Sequence, residues 1–213
     1  MSADLRERLR LIVVTDPDCG GGRSVGDVVR AALRGGAPAI QLRMKDAPAR
    51  VTAAVARTLL AETRAAGALL FINDRVDVAL AVGADGAHVG QDDLPAAAAR
   101  RIAPPGFLVG VSAETTELAR QAEADGADYV GVGPVYATGS KADAGDAIGT
   151  GRITEVASAV RIPVVGIGGI AIGNAPAVIR AGAAGVAVIS AVMRADDPEA
   201  AVRALLVHSP GLA

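Results

Sequence analysis

Cationic, amide and carboxylate side chains follow short apolar runs in this chain, and their types suit one kind of chemistry. "AIQLRMKD" at 39–46 carries Gln41, Arg43 and Lys45, and "FIND" at 71–74 ends in Asn73 and Asp74. "HVGQDD" at 88–93 ends in Asp92 and Asp93, and "YATGSK" at 136–141 supplies Thr138, Ser140 and Lys141. Three cations beside several carboxylates in one mouth are costly to desolvate unless an anion and a divalent metal neutralise them. A diphosphate with its metal ion would satisfy both. Asp74 and Asp93 are the metal candidates. No Cys cluster competes with them, and all-oxygen ligation points to Mg2+, which takes one or two carboxylates together with phosphate oxygens and water. Asp74 also suits the cap of a helix that follows it, and both readings stand at this point.

These groups need a scaffold that brings them together. Ile40, Leu42 and Met44 alternate with Gln41, Arg43 and Lys45, the period of a strand with one oily and one polar face. Strands of this kind are expected at 11–16, 39–45, 69–74, 86–90, 107–112, 129–136, 163–169 and 185–190. Helices between them include Ser24 to Leu33, Val51 to Ala65, Thr116 to Ala124 and Asn174 to Ala181, several ending in punctuation such as "RGGAP" or "RAGAAG". Strand and helix alternate throughout, which predicts an α/β fold with a parallel sheet. "TDPDCGGG" after the first strand supplies no G-x-G-x-x-G, so a closed (β/α)8 TIM barrel over 1–213, one domain, is expected in place of an open doubly wound sheet.

In such a barrel the reactive groups stand at the carboxyl ends of the strands. The list above then gains His88, Gln91, Ser112, the "GIGG" of 166–169 and Ile189-Ser190. Gly168 and Gly169, ahead of Asn174 at a helix start, suit a second phosphate held by backbone N–H groups, although glycines also serve tight turns. His88, between Ala87 and Val89, reads equally as a structural or a catalytic histidine, and it is given no role. His208 is expected at the surface.

The 213 residues, with 51% hydrophobic content, are enough for one large core, and the net charge of −2 offers no basic footprint for nucleic acid or anionic membrane. Small molecules are the expected partners. Residues 162–179 carry no charge, yet two prolines, four glycines and Asn174 interrupt them, so no membrane span is expected. The opening "MSADLRERLR" lacks an apolar signal region and Cys19 has no partner for a disulfide, which favours a reducing cytoplasm. The sequence leaves a homo-oligomer open.

The strings "QLRMK", "FINDRVDVAL", "GADGAHVGQDD", "GVSAE", "GADYVGVGPVYATGSK", "PVVGIGGI" and "GVAVISAV", in this order, resemble the thiamine phosphate synthase family. The resemblance runs from the second strand to the eighth. It implies a (β/α)8 barrel that joins a hydroxymethylpyrimidine diphosphate to a thiazole phosphate with Mg2+, releasing diphosphate. It implies that Gln41, Arg43, Lys45, Asn73 and Lys141 meet the pyrimidine diphosphate, that Ser112 meets the pyrimidine, and that Asp74 and Asp93 hold the metal. Arg43, Lys45, Ser112 and Lys141 would carry the catalysis. Thr138, Gly139, Ser140, Gly169, Ile189 and Ser190 match the thiazole phosphate site. Two positions depart: Ser140 replaces a threonine common in relatives but keeps the hydroxyl, and Glu114 stands where many relatives of the superfamily have histidine. Rival readings are a thiazole tautomerase of the same superfamily, a non-catalytic thiamine phosphate sensor and another phosphate-binding barrel such as a sugar-phosphate isomerase. The Gly- and Ala-rich stretch 137–151 is expected to form a lid.

Overall fold

The structure is a computed structural model that describes residues 2–19, 22–139 and 145–207. Eight parallel strands close into a barrel in chain order, with the eighth hydrogen-bonded to the first. They are β1 (Leu11–Val14), β2 (Ala39–Leu42), β3 (Leu69–Asn73), β4 (Gly86–Val89), β5 (Leu108–Ser112), β6 (Tyr129–Val132), β7 (Val164–Ile167) and β8 (Gly185–Val188). Every residue of β1, β2, β6 and β8 is buried, because one face fills the barrel and the other lies under the helices. The helices are α1 (Ser2–Arg8), α2 (Val25–Arg34), α3 (Ala49–Ala65), α4 (Val76–Val82), α5 (Ala96–Ile102), α6 (Thr116–Ala124), α7 (Gly149–Ala159), α8 (Ala175–Arg180), α9 (Ser190–Met193) and α10 (Pro198–Val207). Among the described residues no helix is long and apolar enough to cross a membrane.

Sequence chemistry explains the helix starts. Ser24 caps α2 by accepting a hydrogen bond from the Asp27 amide at 3.1 Å, and Thr115 caps α6 by accepting one from the Leu118 amide at 3.2 Å. Val28, Val29, Ala31 and Ala32 form the buried stripe of α2, which seats that helix on the sheet.

The strands are shorter than the alternation suggests. β2 stops at Leu42 instead of residue 45, β6 at Val132 instead of 136, β7 at Ile167 instead of 169, and β1 and β8 each end two residues before the expected limit. The ladder gives way to other partners there. The Arg43 amide donates to the Thr15 hydroxyl at 2.9 Å, and a cis peptide joins Gly133 to Pro134. Arg43 and Lys45 therefore stand on a loop over the barrel mouth, and Gln41 alone of the three polar residues lies on the strand. The stretch expected as a lid is not loop throughout. Its residues 149–151 open α7, and the amides of Ile148 and Gly149 donate to the carbonyls of Pro134 and Val135 at 2.9 and 3.0 Å. Residues 140–144 of that stretch lie outside the described residues.

Inside the barrel, register aligns the polar positions. Gln41 pairs with Phe71, Asn73 with His88 and Ser112 with Gly131. A large side chain is matched by a glycine on the neighbouring strand: Gly110 of β5 pairs with Tyr129 of β6, and a Cβ on Gly110 would overlap the Tyr129 ring. This lets a large ring pack inside the barrel, while most of the polar groups stand toward the carboxyl ends of the strands.

Candidate active site

A cavity of about 440 Å3 opens at the carboxyl ends of the strands. Its walls include Arg43, Lys45, Asn73, Asp74, Asp93, Ser112, Thr138, Gly169, Ile189 and Ser190, so ten of the expected site residues converge on one space. Gln41 lies beneath it, 4% exposed, with its amide donating to Asn73 Oδ1 at 2.7 Å. Gly139 is not among the lining residues. Ser140, Lys141 and His208 lie outside the described residues.

Arg43 is held by two residues that the sequence reading passed over. Thr15 is fully buried; its amide donates to the Gln41 carbonyl at 2.9 Å, and its hydroxyl accepts from the Arg43 amide. Asp16 brings Oδ2 to 3.9 Å from the Arg43 guanidinium, and the Asp18 amide donates to its Oδ1 at 3.0 Å. Both side chains of the pair are about nine-tenths buried, at 11% and 10% exposure. The signal was the "TD" that ends "LIVVTD", the same polar ending that marked the second and third strands.

Asp74 has φ 62°, the left-handed region that only Asn, Asp and Gly enter readily. Its amide donates to the His88 carbonyl at 2.7 Å, which extends the link between β3 and β4 past the strand. At α4 the N-cap position falls to Arg75, one residue after Asp74, and the Arg75 side chain makes no cap bond. Arg75 instead forks onto Asp77 at 2.9 and 2.6 Å, and these bonds hold the Asp77 carboxyl below its ordinary range. On the neighbouring loop, Asp93 Oδ2 accepts from the Gly90 amide at 2.7 Å, and Gln91 donates to the Ser112 carbonyl at 2.6 Å. Among the described residues no group of three His, Cys, Asp or Glu side chains is arranged to hold a metal. Two carboxylates on adjacent loops of one cavity nevertheless fit a hard divalent cation, which draws its remaining oxygens from phosphate and water.

The glycines after β7 have a packing duty as well. Gly168 and Gly169 have φ 95° and 63°, and a Cβ at Gly168 would lie 2.6 Å from Pro134, while one at Gly169 would lie 2.6 Å from the Ala137 carbonyl. The bare backbone lets the loop after β6 lie across the loop after β7, where the Tyr136 amide donates to the Gly168 carbonyl at 3.0 Å. Asn174 braces the same turn: it donates to the Gly169 carbonyl at 3.0 Å and accepts from the Ala171 amide at 2.8 Å. Gly168→Ala combines a strained φ with an overlap and is expected to cost on the order of 2 kcal/mol or more, lowering the melting temperature by roughly 4–8 °C. Differential scanning calorimetry checks this; an unchanged melt would show that the two loops can separate.

The fold and the mouth define a (β/α)8-barrel enzyme whose polar groups gather at the carboxyl ends of its strands. The model of the family described as thiamine monophosphate synthase matches residues 11–192, and the chain belongs to that family. A thiamine-phosphate synthase of Roseiflexus castenholzii is 61% identical over 193 residues, 91% of this chain and 85% of the relative. One from Moorella thermoacetica is 56% identical over 195 residues, 92% and 93% of the two chains. The solved structure of a thiamine phosphate pyrophosphorylase from Pyrococcus furiosus superposes with a TM-score of 0.88 at 43% identity, covering 96% of this chain and 97% of that one.

Proposed function

We propose that this chain joins a hydroxymethylpyrimidine diphosphate to a thiazole phosphate, giving thiamine phosphate and diphosphate. The observation that carries the reading is the convergence of Arg43, Lys45, Asn73, Asp74, Asp93 and Ser112 on one cavity that Thr138, Gly169, Ile189 and Ser190 close from the other side. The first group suits a diphosphate with its metal and ring, and the second suits a monophosphate.

The pyrimidine methylene carbon must lose diphosphate. Arg43, Lys45 and Lys141 place positive charge on the departing oxygens, where negative charge grows as the bond breaks. Mg2+, held by Asp74 and Asp93, would supply further neutralising charge to that leaving group. The aminopyrimidine ring delocalises the resulting cation, so no enzyme nucleophile is needed. The thiazole nitrogen, positioned through its phosphate by Thr138, Ser140 and the amides near Gly169 and Ser190, attacks the same carbon. The family membership, together with the lone Cys19 and the absence of a basic footprint, supports a cytoplasmic enzyme of small molecules. The direct test incubates purified protein with both substrates and Mg2+ and follows diphosphate. Release that requires both substrates supports the reading, whereas release from the pyrimidine substrate alone at the same rate would not.

Glu114 separates this reading from the tautomerase one. It lines the mouth and is exposed. Moving protons near neutral pH suits histidine, which is absent at this position. Glu114→Gln is therefore expected to leave coupling within about twofold of the parent, an effect no larger than that of an ordinary exposed substitution. The parent is expected not to interconvert thiazole phosphate isomers efficiently. Isomer interconversion that the substitution abolishes would make the chain bifunctional.

A further inference from the structure

Tyr129 and His88, to which the reaction just described gives no role, form a polar chain that ends on Ser112. Tyr129 is 1% exposed, and its hydroxyl lies 3.0 Å from His88 Nδ1. His88 Nε2 lies 3.0 Å from Ser112 Oγ. Both rings are closely packed. Phe71 meets Tyr129 edge-on with centroids 5.5 Å apart, and a Cβ on Gly131 would lie 3.0 Å from His88 Cε1.

The directions of these bonds follow from counting protons. Burial, and then the charge of Asp128, pushes the ionisation of Tyr129 up, so the group is a phenol with one proton to donate. Among the described residues the hydrogen-bond partner of that hydroxyl is His88 Nδ1. Were Nδ1 the donor, the phenolic proton would be buried without an acceptor, an unfavourable arrangement. Nδ1 therefore accepts, the imidazole carries its proton on Nε2, and Nε2 donates to Ser112 Oγ. The Ser112 hydroxyl proton is then directed away from His88, on the side where Ser112 lines the mouth.

We infer that Tyr129 and His88 are positioning residues that fix Ser112 as a hydrogen-bond donor toward a ring nitrogen of the pyrimidine substrate. The identity of that acceptor rests on the proposed synthase reading; the directions of the bonds do not. A hydroxyl can hold a ring nitrogen without transferring its proton, which leaves the ring electrons available to the forming cation. His88 is in this account neither acid nor base: it sets the polarity of its neighbour.

The chain has two histidines, so the full-length His208→Gln protein retains one imidazole for heteronuclear NMR. The expected spectrum shows Nε2 protonated and Nδ1 unprotonated, with the preference weakened in Tyr129→Phe. A His88 protonated on Nδ1 in the otherwise unaltered protein would overturn the inference. Tyr129→Phe is expected to raise KM for the pyrimidine diphosphate about threefold to tenfold and to leave KM for the thiazole phosphate unchanged. In a Ser112→Ala background the same change should cost nothing further, because its effect passes through the hydroxyl that is already gone. An equal penalty in both backgrounds would overturn the relay. Failure of the synthase reading would show separately, as a parent protein that releases no diphosphate, while the imidazole spectrum would still decide the bond directions.

Discussion

Arg43→Ala is expected to slow coupling by about 2–4 kcal/mol in the barrier, roughly 30- to 1,000-fold in kcat, with the fold intact. The guanidinium lies in a mouth with little exposure to water, so on the proposed reaction its charge would act on the leaving group at an effective dielectric well below that of bulk solvent. Its backbone is anchored independently of the side chain, by the Thr15 hydroxyl, so truncation removes charge without releasing the loop. Asp16 complicates the simple deletion. With Arg43 gone, its carboxylate remains beside the vacated position, 7% exposed as a residue, and would act against a diphosphate bound there. The double variant Arg43→Ala with Asp16→Asn should therefore recover part of the lost activity. Steady-state kinetics under saturating Mg2+ measure both. Near-normal turnover in Arg43→Ala would remove the diphosphate assignment, and Lys141→Ala, expected to show a loss of similar size, provides an independent check on the same charge.

The barrel was legible because its signals are local and repeated. The eight apolar runs alternate with helical stretches, several of them with their own cap or glycine stop, and strand order in such a barrel adds no long-range ambiguity. Where the strands end was less legible. "QLRMK" continues the two-residue alternation past Leu42, but alternation records which side chains could face apart, not how far the neighbouring strand keeps pairing. That limit is set by β1, where Thr15 turns its hydroxyl to the Arg43 amide, a contact between residues 28 apart in sequence. The partners of His88 were hidden for the same reason. Tyr129 carries no mark of chemistry in "DYVGVG", and it becomes a partner only through the register of β4, β5 and β6 and the space left by Gly110. Asp74 shows the opposite case: its type suggested both a cap and a ligand, and the structure adds what the sequence could not, a left-handed backbone at Asp74 and an N-cap position that falls one residue later.

Asp74→Asn and Asp93→Asn are each expected to raise the Mg2+ concentration for half-maximal activity by at least about tenfold, since a neutral amide is a poorer ligand than a carboxylate for a hard cation. Neither substitution should unfold the protein. Asparagine enters the left-handed region as readily as aspartate, so the φ of 62° at position 74 is tolerated, and an amide oxygen at position 93 can still accept from the Gly90 amide. Asp74→Gly sharpens the separation of ligand from turn. Glycine satisfies the same backbone and removes the carboxylate, so its melting temperature should be no lower than that of Asp74→Asn while its activity is lower at every Mg2+ concentration. Titrating Mg2+ in the coupling assay, with melting curves recorded on the same preparations, reads both properties. If one aspartate variant alone alters the Mg2+ dependence, the other carboxylate serves the turn it braces; for Asp93 that turn is visible in its bond to Gly90, so a variant with normal Mg2+ response and a lowered melt would assign it there. If neither variant responds, the metal is held elsewhere and the charge on the leaving group must come from Arg43, Lys45 and Lys141.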